Sequence, residues 1–363
     1  MLNLSQDPIE LTRALVDIPS PSHEEKRIAD ELEQALRIFA QNTNHVEVLR
    51  HGNTVMARTQ RGLGSRIILA GHIDTVPIAD NIPAQRIDDI LYGCGTVDMK
   101  SGLACYISAF VELANSDQLS HELTLICYEG EEVASEFNGL GHIQTVYPQW
   151  LAGDLALLGE PSGAIVEAGC QGSIRLRITA RGVRAHSARS WLGVNAMHQL
   201  APVISRIAQY QPREAVEVDG CTYREGLNIV HIESGVATNT IPDEAWLFVN
   251  FRFAPDRSLA EAMQYLLEVL NLPETISYEV DDAVAAARPG LDQPAAQALV
   301  KSVGQVRAKY GWTDVARFSE LGIPAVNFGP GDPSFAHKKE EQLPVAMITE
   351  VKNALINFLS SQF

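Results

Sequence analysis

The stretch that decides the fold is Arg66-Ile67-Ile68-Leu69-Ala70-Gly71-His72-Ile73-Asp74-Thr75-Val76-Pro77. Its apolar, β-branched run reads as a buried strand, and that strand ends in two chemistry-bearing side chains. At a period of two, His72 and Asp74 leave the strand facing the same way. Asp74 can then orient the imidazole while His72 meets a ligand. Taken alone, a His-x-Asp leaving a strand reads equally well as polar surface.

The same arrangement recurs along the chain. Asp98 lies in the Gly-rich segment 92–102, whose glycines let the backbone turn tightly, although an ordinary helix N-cap would also place an Asp there. Glu131 and Glu132 follow an apolar strand ending at Tyr128. Neighbouring residues point in different directions, so one carboxylate can ligate while the other serves as general base. A solvated acidic run is the plainer account of that pair. Glu160 ends the strand 155–158, and His337 closes the Gly/Pro-rich loop 327–337. Each residue alone has a structural explanation; five such segments at strand ends in one chain point to metal-assisted hydrolysis. Two imidazoles and carboxylates, one of them able to bridge, suit two divalent cations. The charges agree: Asp98, Glu132 and Glu160 with one hydroxide balance two dications. Metals roughly 3.5–4 Å apart can bring the pKa of a shared water to about 7.

Outward from these motifs, strands and helices alternate. Asp7, Pro8 and Glu10 read as cap, first helical position and capping box for a helix to Asp17. Ser22 and Glu25 repeat the signal for a helix to Ala40, and strands follow at 46–49, 54–58 and 66–70. A mostly apolar helix 102–114 and strands 123–128 and 155–158 complete a pattern of a buried α/β sheet covered by helices. Beyond Gly172, Ser173-Ile174-Arg175-Leu176-Arg177-Ile178-Thr179-Ala180 alternates strictly, as in a sheet with one open face. A helix 195–210, strands 227–234 and 245–253, a helix 258–270 and a strand 276–280 give the β-α-β-β-α-β order of a ferredoxin-like unit. The α/β texture then returns with a helix 294–309, a strand 323–328 and a helix 345–359. The expected organisation is therefore α/β for residues 1–172 and 286–363, with an α+β domain inserted at 173–285.

Composition bounds the partners. A chain of 363 residues suggests two domains, and a net charge of −17 argues against nucleic acid and anionic membranes. No apolar run approaches the roughly 18–20 residues of a spanning helix, and residues 1–8 lack a secretory pattern. Five scattered cysteines, never spaced CxxC, suit reduced thiols in a cytoplasmic protein.

These residues resemble a known family. The strings 72–77, 95–102, Glu131-Glu132 and Gly159-Glu160-Pro161 are similar to those of the co-catalytic zinc aminoacylase and deacylase peptidases, in the same order and over almost the whole chain. The segments 182–192, 222–228 and 311–318, with the loop 329–337, point to one deacylase branch within it. The resemblance implies a zinc-exopeptidase-like sheet and hydrolysis of a small anionic N-acyl amino acid. One zinc would be held by His72, Asp98 and Glu160, the other by Asp98, Glu132 and His337; cobalt or manganese could replace zinc. Glu131 would be the general base, Asp74 the carboxylate behind His72, and the Asp98–Met99 peptide would be cis. The inserted domain would be a dimerisation lid, with the strand 245–253 as a candidate pairing edge. His186 would reach the partner's site to stabilise the oxyanion, and Asn239, Arg252 and Thr313 would contact substrate carboxylates. Two departures concern specificity. Ser190-Trp191 replaces a proline-containing run, and Cys170-Gln171-Gly172 lacks neighbouring arginines, which leaves Arg175 or Arg189 for substrate. Other deacylases and dipeptidases of the family would share every metal residue, whereas a zinc-dependent binding protein would have no use for Glu131.

Overall fold

The computed structural model describes residues 2–363, which divide into two compact units. The larger comprises Met1–Ala168, Pro289–Arg307 and Arg317–Phe363; the smaller comprises Gly169–Arg288 and Ala308–Ala316.

In the larger unit the strands Arg66–His72, Glu122–Tyr128, Leu155–Leu158 and Ala325–Asn327 form the parallel centre of an eight-stranded sheet. Antiparallel strands, including Val46–His51 and Thr54–Thr59, extend it. Every residue of Glu122–Tyr128 and Leu155–Leu158 is buried, as expected for strands covered on both faces. The helix Lys100–Leu113 is apolar nearly all round because it lies within the core, against Pro8–Val16 and Val345–Leu359. Its approach to the strand Leu155–Leu158 requires glycine: a Cβ on Gly102 would stand 1.8 Å from the Gly159 carbonyl oxygen. All four parallel strands run the same way, so their carboxyl ends, where open α/β sheets bind ligands, share one edge.

The smaller unit is a four-stranded antiparallel sheet in the order Gly226–Ser234, Glu244–Phe253, Gly172–Arg181, Ile276–Val284. Helices Ala196–Ala208 and Leu259–Leu270 cover one face through Leu200, Val203, Leu266 and Leu270, which meet Ile174, Leu176, Val249 and Phe251. That is the ferredoxin-like order expected from the alternation.

Several expectations need correction. The strand Glu244–Phe253 is central, so the edges are Gly226–Ser234 and Ile276–Val284. Strict alternation reports one open face and carries no information about edges. The helix expected over 294–309 stops at Val303, because Gly304 adopts φ +84° and ends it in a left-handed cap. Ser22 caps nothing; the helix is Lys26–Gln41, and the Ser22 hydroxyl donates to Asp74 Oδ2 at 2.8 Å. Glu10 pairs with Arg13 at 3.0 Å instead of closing a capping box. Finally, Ala308–Ala316 groups with the smaller unit, not the larger: Cys170 Sγ donates to the Thr313 carbonyl, and Trp312 Nε1 to the Ala285 carbonyl at 3.2 Å.

Candidate metal centre

The donors gather at the carboxyl ends of the parallel strands. His72 is the last residue of its strand and is fully buried. Its Nε2 lies 3.1 Å from Asp98 Oδ1. The other oxygen of Asp98 lies 3.2 Å from His337 Nε2, which in turn stands 3.0 Å from Glu132 Oε1. Asp98 thus offers one oxygen to each imidazole, the disposition a bridging carboxylate needs. Ligand atoms of His72, Asp98 and Glu132 all fall within 4.8 Å of one another. Donors about 3.3 Å apart are what a tetrahedral ion with bonds of about 2.0–2.1 Å requires, so this set fits divalent metal.

Glu160 is 5% exposed and follows the strand that pairs with His72's strand. The register aligns Ala70 with Leu158, and the Gly159 N–H donates to the Ala70 carbonyl at 3.0 Å, which carries Glu160 out alongside His72.

Asp74 is the organiser of the centre. It is fully buried, beside His72 Nδ1 at 3.5 Å, and accepts the Glu131 and Glu132 peptide N–H groups at 3.1 Å on separate oxygens. Asp74 therefore steadies the imidazole through its backbone carbonyl, 3.0 Å from His72 Nδ1, with the carboxylate alongside, and holds the turn bearing both glutamates through the carboxylate. Burial, the largest single influence on Asp74, acts upward, yet His72, Ser22 and the Glu132 N–H together hold it down at about 2. Burial would lower His72, but Asp74 and Asp98 push it well above 6.5, helped by the Glu131 charge. Asp98 and Glu132 raise His337 to about 10 in the metal-free chain. The Asp98–Met99 peptide is cis, and the helix beyond it is capped by Met99 without a side-chain bond, so Asp98 is no helix cap.

In the smaller unit, His186 and Asn239 come together. The short pairing of Ala185–His186 with Thr240–Ile241 is extended by the Ser187 N–H, which donates to the Asn239 carbonyl at 2.8 Å. His186 Nδ1 accepts the Ala188 N–H at 3.0 Å, so the neutral ring carries its proton on the exposed Nε2. Arg252 lies on the open sheet face, its Nε donating to Asn250 Oδ1 at 3.2 Å. Thr313 is 4% exposed; Arg175 is engaged by Asp281, and Arg189 is exposed. Sequence reasoning missed Ser22 and Glu341, which act through partners far along the chain and carry no spacing signal.

A sequence profile of the peptidase family M20/M25/M40 matches residues 68–361. The succinyl-diaminopimelate desuccinylase of Corynebacterium glutamicum is 61% identical over 99% of this chain and 98% of its own length. Among solved structures, a tripeptidase of Staphylococcus aureus superposes with a TM-score of 0.78 at 21% identity, covering 100% of both chains. The YXEP protein of Bacillus subtilis, described as a dinuclear metal-binding peptidase, superposes with a TM-score of 0.69 at 18% identity, over 97% of this chain and 96% of its own. Fold and clustered donors define a metal-dependent hydrolase. The chain belongs to the peptidase family M20/M25/M40.

Proposed function

We propose that this enzyme removes succinate from N-succinyl-LL-2,6-diaminopimelate, yielding LL-2,6-diaminopimelate for lysine and cell-wall synthesis in the cytoplasm. The observation that carries the reading is the full-length 61% identity to the Corynebacterium glutamicum desuccinylase. The clustered donors support it chemically. His72, Asp98 and Glu160 would hold one divalent ion, and Asp98, Glu132 and His337 the other, with zinc the first choice and cobalt or manganese substitutes. When bound, such a pair polarises an amide carbonyl and makes an attacking water acidic near neutral pH. Glu131, whose peptide N–H donates to Asp74, would take a proton from the attacking water and return it to the leaving amine. His186 Nε2–H is in the tautomer that can donate to the developing oxyanion. Asn239, Arg252 and Thr313 would receive the substrate carboxylates. Homodimerisation through the smaller unit is supported by its edge strand Gly226–Ser234, where Val230 and Ile232 are 57% and 55% exposed.

The test compares kcat/KM for N-succinyl-LL-2,6-diaminopimelate and N-acetylornithine in wild type and Glu131→Ala. The reading expects preference for the succinyl substrate. It also expects kcat of the variant to fall by about 10²–10⁴ with metal content retained. Preference for acetylornithine would move the assignment to another deacylase of the family; undiminished turnover by Glu131→Ala would reject the general base.

A further inference from the structure

The residues that clamp Asp98 are themselves ionisable and buried. Glu341 is 2% exposed, and its carboxylate accepts three consecutive-turn peptide N–H groups: Val97 at 2.8 Å and Asp98 at 3.0 Å on Oε1, and Gly95 at 2.9 Å on Oε2. Its own carbonyl accepts the Gly93 N–H at 3.1 Å, so one residue closes four bonds onto the segment 93–98. On the other side of that turn Lys100, 1% exposed, donates Nζ to the carbonyls of Leu15 at 3.0 Å and Ile18 at 2.8 Å.

A buried carboxylate carries a large desolvation cost, offset only when every lone pair it turns inward meets a donor. A neutral loop–loop contact would hold two segments together without that cost. Here the three N–H groups belong to the turn whose side chain must present one oxygen to each imidazole. Glu341 also lies four residues beyond His337, so it joins the Asp98 turn to the other imidazole's loop.

We infer that Glu341 is a positioning residue for the metal pair: its carboxylate sets the orientation of the Asp98 peptide and hence the bridge. This rests on the reading of Asp98 as bridging ligand. Glu341→Gln tests it, because the amide keeps the size and the Oε1 acceptor but turns a donor toward the Gly95 N–H. The wild type titrated with Co²⁺ should bind two ions per chain. Glu341→Gln, with an unchanged circular dichroism spectrum, should bind the weaker ion about 10–100-fold less tightly, show an altered visible cobalt spectrum, and lose kcat with KM within about twofold. Unchanged cobalt affinities and spectrum in the folded variant would overturn the role of Glu341. A wild type that binds fewer than two ions would instead sink the bridging centre. Should Glu341→Gln fail to fold, Glu341→Asp, which keeps the charge and withdraws it by one methylene, carries the same measurements and the same two outcomes.

Discussion

His337 Nε2 stands 3.2 Å from Asp98 Oδ2, joining a loop near the carboxyl terminus to a turn in the first third of the chain. In the metal-free protein this contact is an ion pair, since His337 titrates at about 10 rather than 6.5. Against the lowering effect of burial, Asp74 and Asp98 likewise raise His72.

Metal loading must therefore compete with protons at these imidazoles. Titrating the metal-free protein with Zn²⁺ at pH 7 in buffers of different ionisation enthalpy should report net proton release, and apparent affinity should climb with pH. The stability linkage has the opposite slope. A folded pKa raised from 6.5 to about 10 stabilises fully below pH 6.5 and is lost as pH rises through 10, so the Tm of the metal-free protein should decline across that window. Proton release near zero would contradict the paired state.

Asp74 serves two clients at once, the His72 imidazole and the Glu131–Glu132 turn. Asp74→Asn replaces an acceptor with a donor facing a peptide N–H, and kcat should fall by about 10–100-fold. Ser22→Ala removes only one hydroxyl donor and should cost about 1.5–3 kcal/mol in urea unfolding, with far less effect on kcat. If both variants lose activity equally, Asp74 has no special hold on the site.

Gly102 admits no side chain, its hypothetical Cβ lying 1.8 Å from the Gly159 carbonyl oxygen. Gly102→Ala should destabilise the fold by about 3 kcal/mol or more, and, because Glu160 follows Gly159, should lower zinc stoichiometry as well. Denaturant midpoints and metal analysis measure both. A midpoint within error of wild type would show that the helix can shift freely.

His186→Ala should reduce kcat by about 10²–10³ while two metals remain bound. Mixing it with Glu131→Ala after subunit exchange distinguishes whose site it serves. If His186 acts across a dimer, mixed dimers contain one intact site and the mixture recovers about a quarter of wild-type activity. If it acts within its own chain, nothing is recovered.

Much of this architecture was legible because the signals were local. Strand ends followed by His72, Glu131, Glu132 and Glu160 are visible as apolar runs meeting polar residues, and the terminal helix Val345–Leu359 begins and ends where its periodicity does. What the sequence hid lies in partners. Ser22 followed by Glu25 has every mark of a cap, yet its hydroxyl is drawn to a carboxylate that burial leaves in need of donors. Glu341 follows Lys338-Lys339-Glu340 with no local signal, and only the fold reveals the peptide N–H groups that it accepts. Edge and centre of the smaller sheet are similarly silent in a single strand, because alternation is the same in both. Gly304 is a local stop signal that a left-handed cap exploits.

The membership of Ala308–Ala316 in the smaller unit has a practical corollary for protein engineering. Excising residues 169–288 as an autonomous fragment would leave the Cys170 thiol and the Ala285 carbonyl without the segment that completes them. Chimaeras that exchange the smaller unit between relatives should therefore transplant both stretches together; exchanging the long one alone would graft a module with a missing seam.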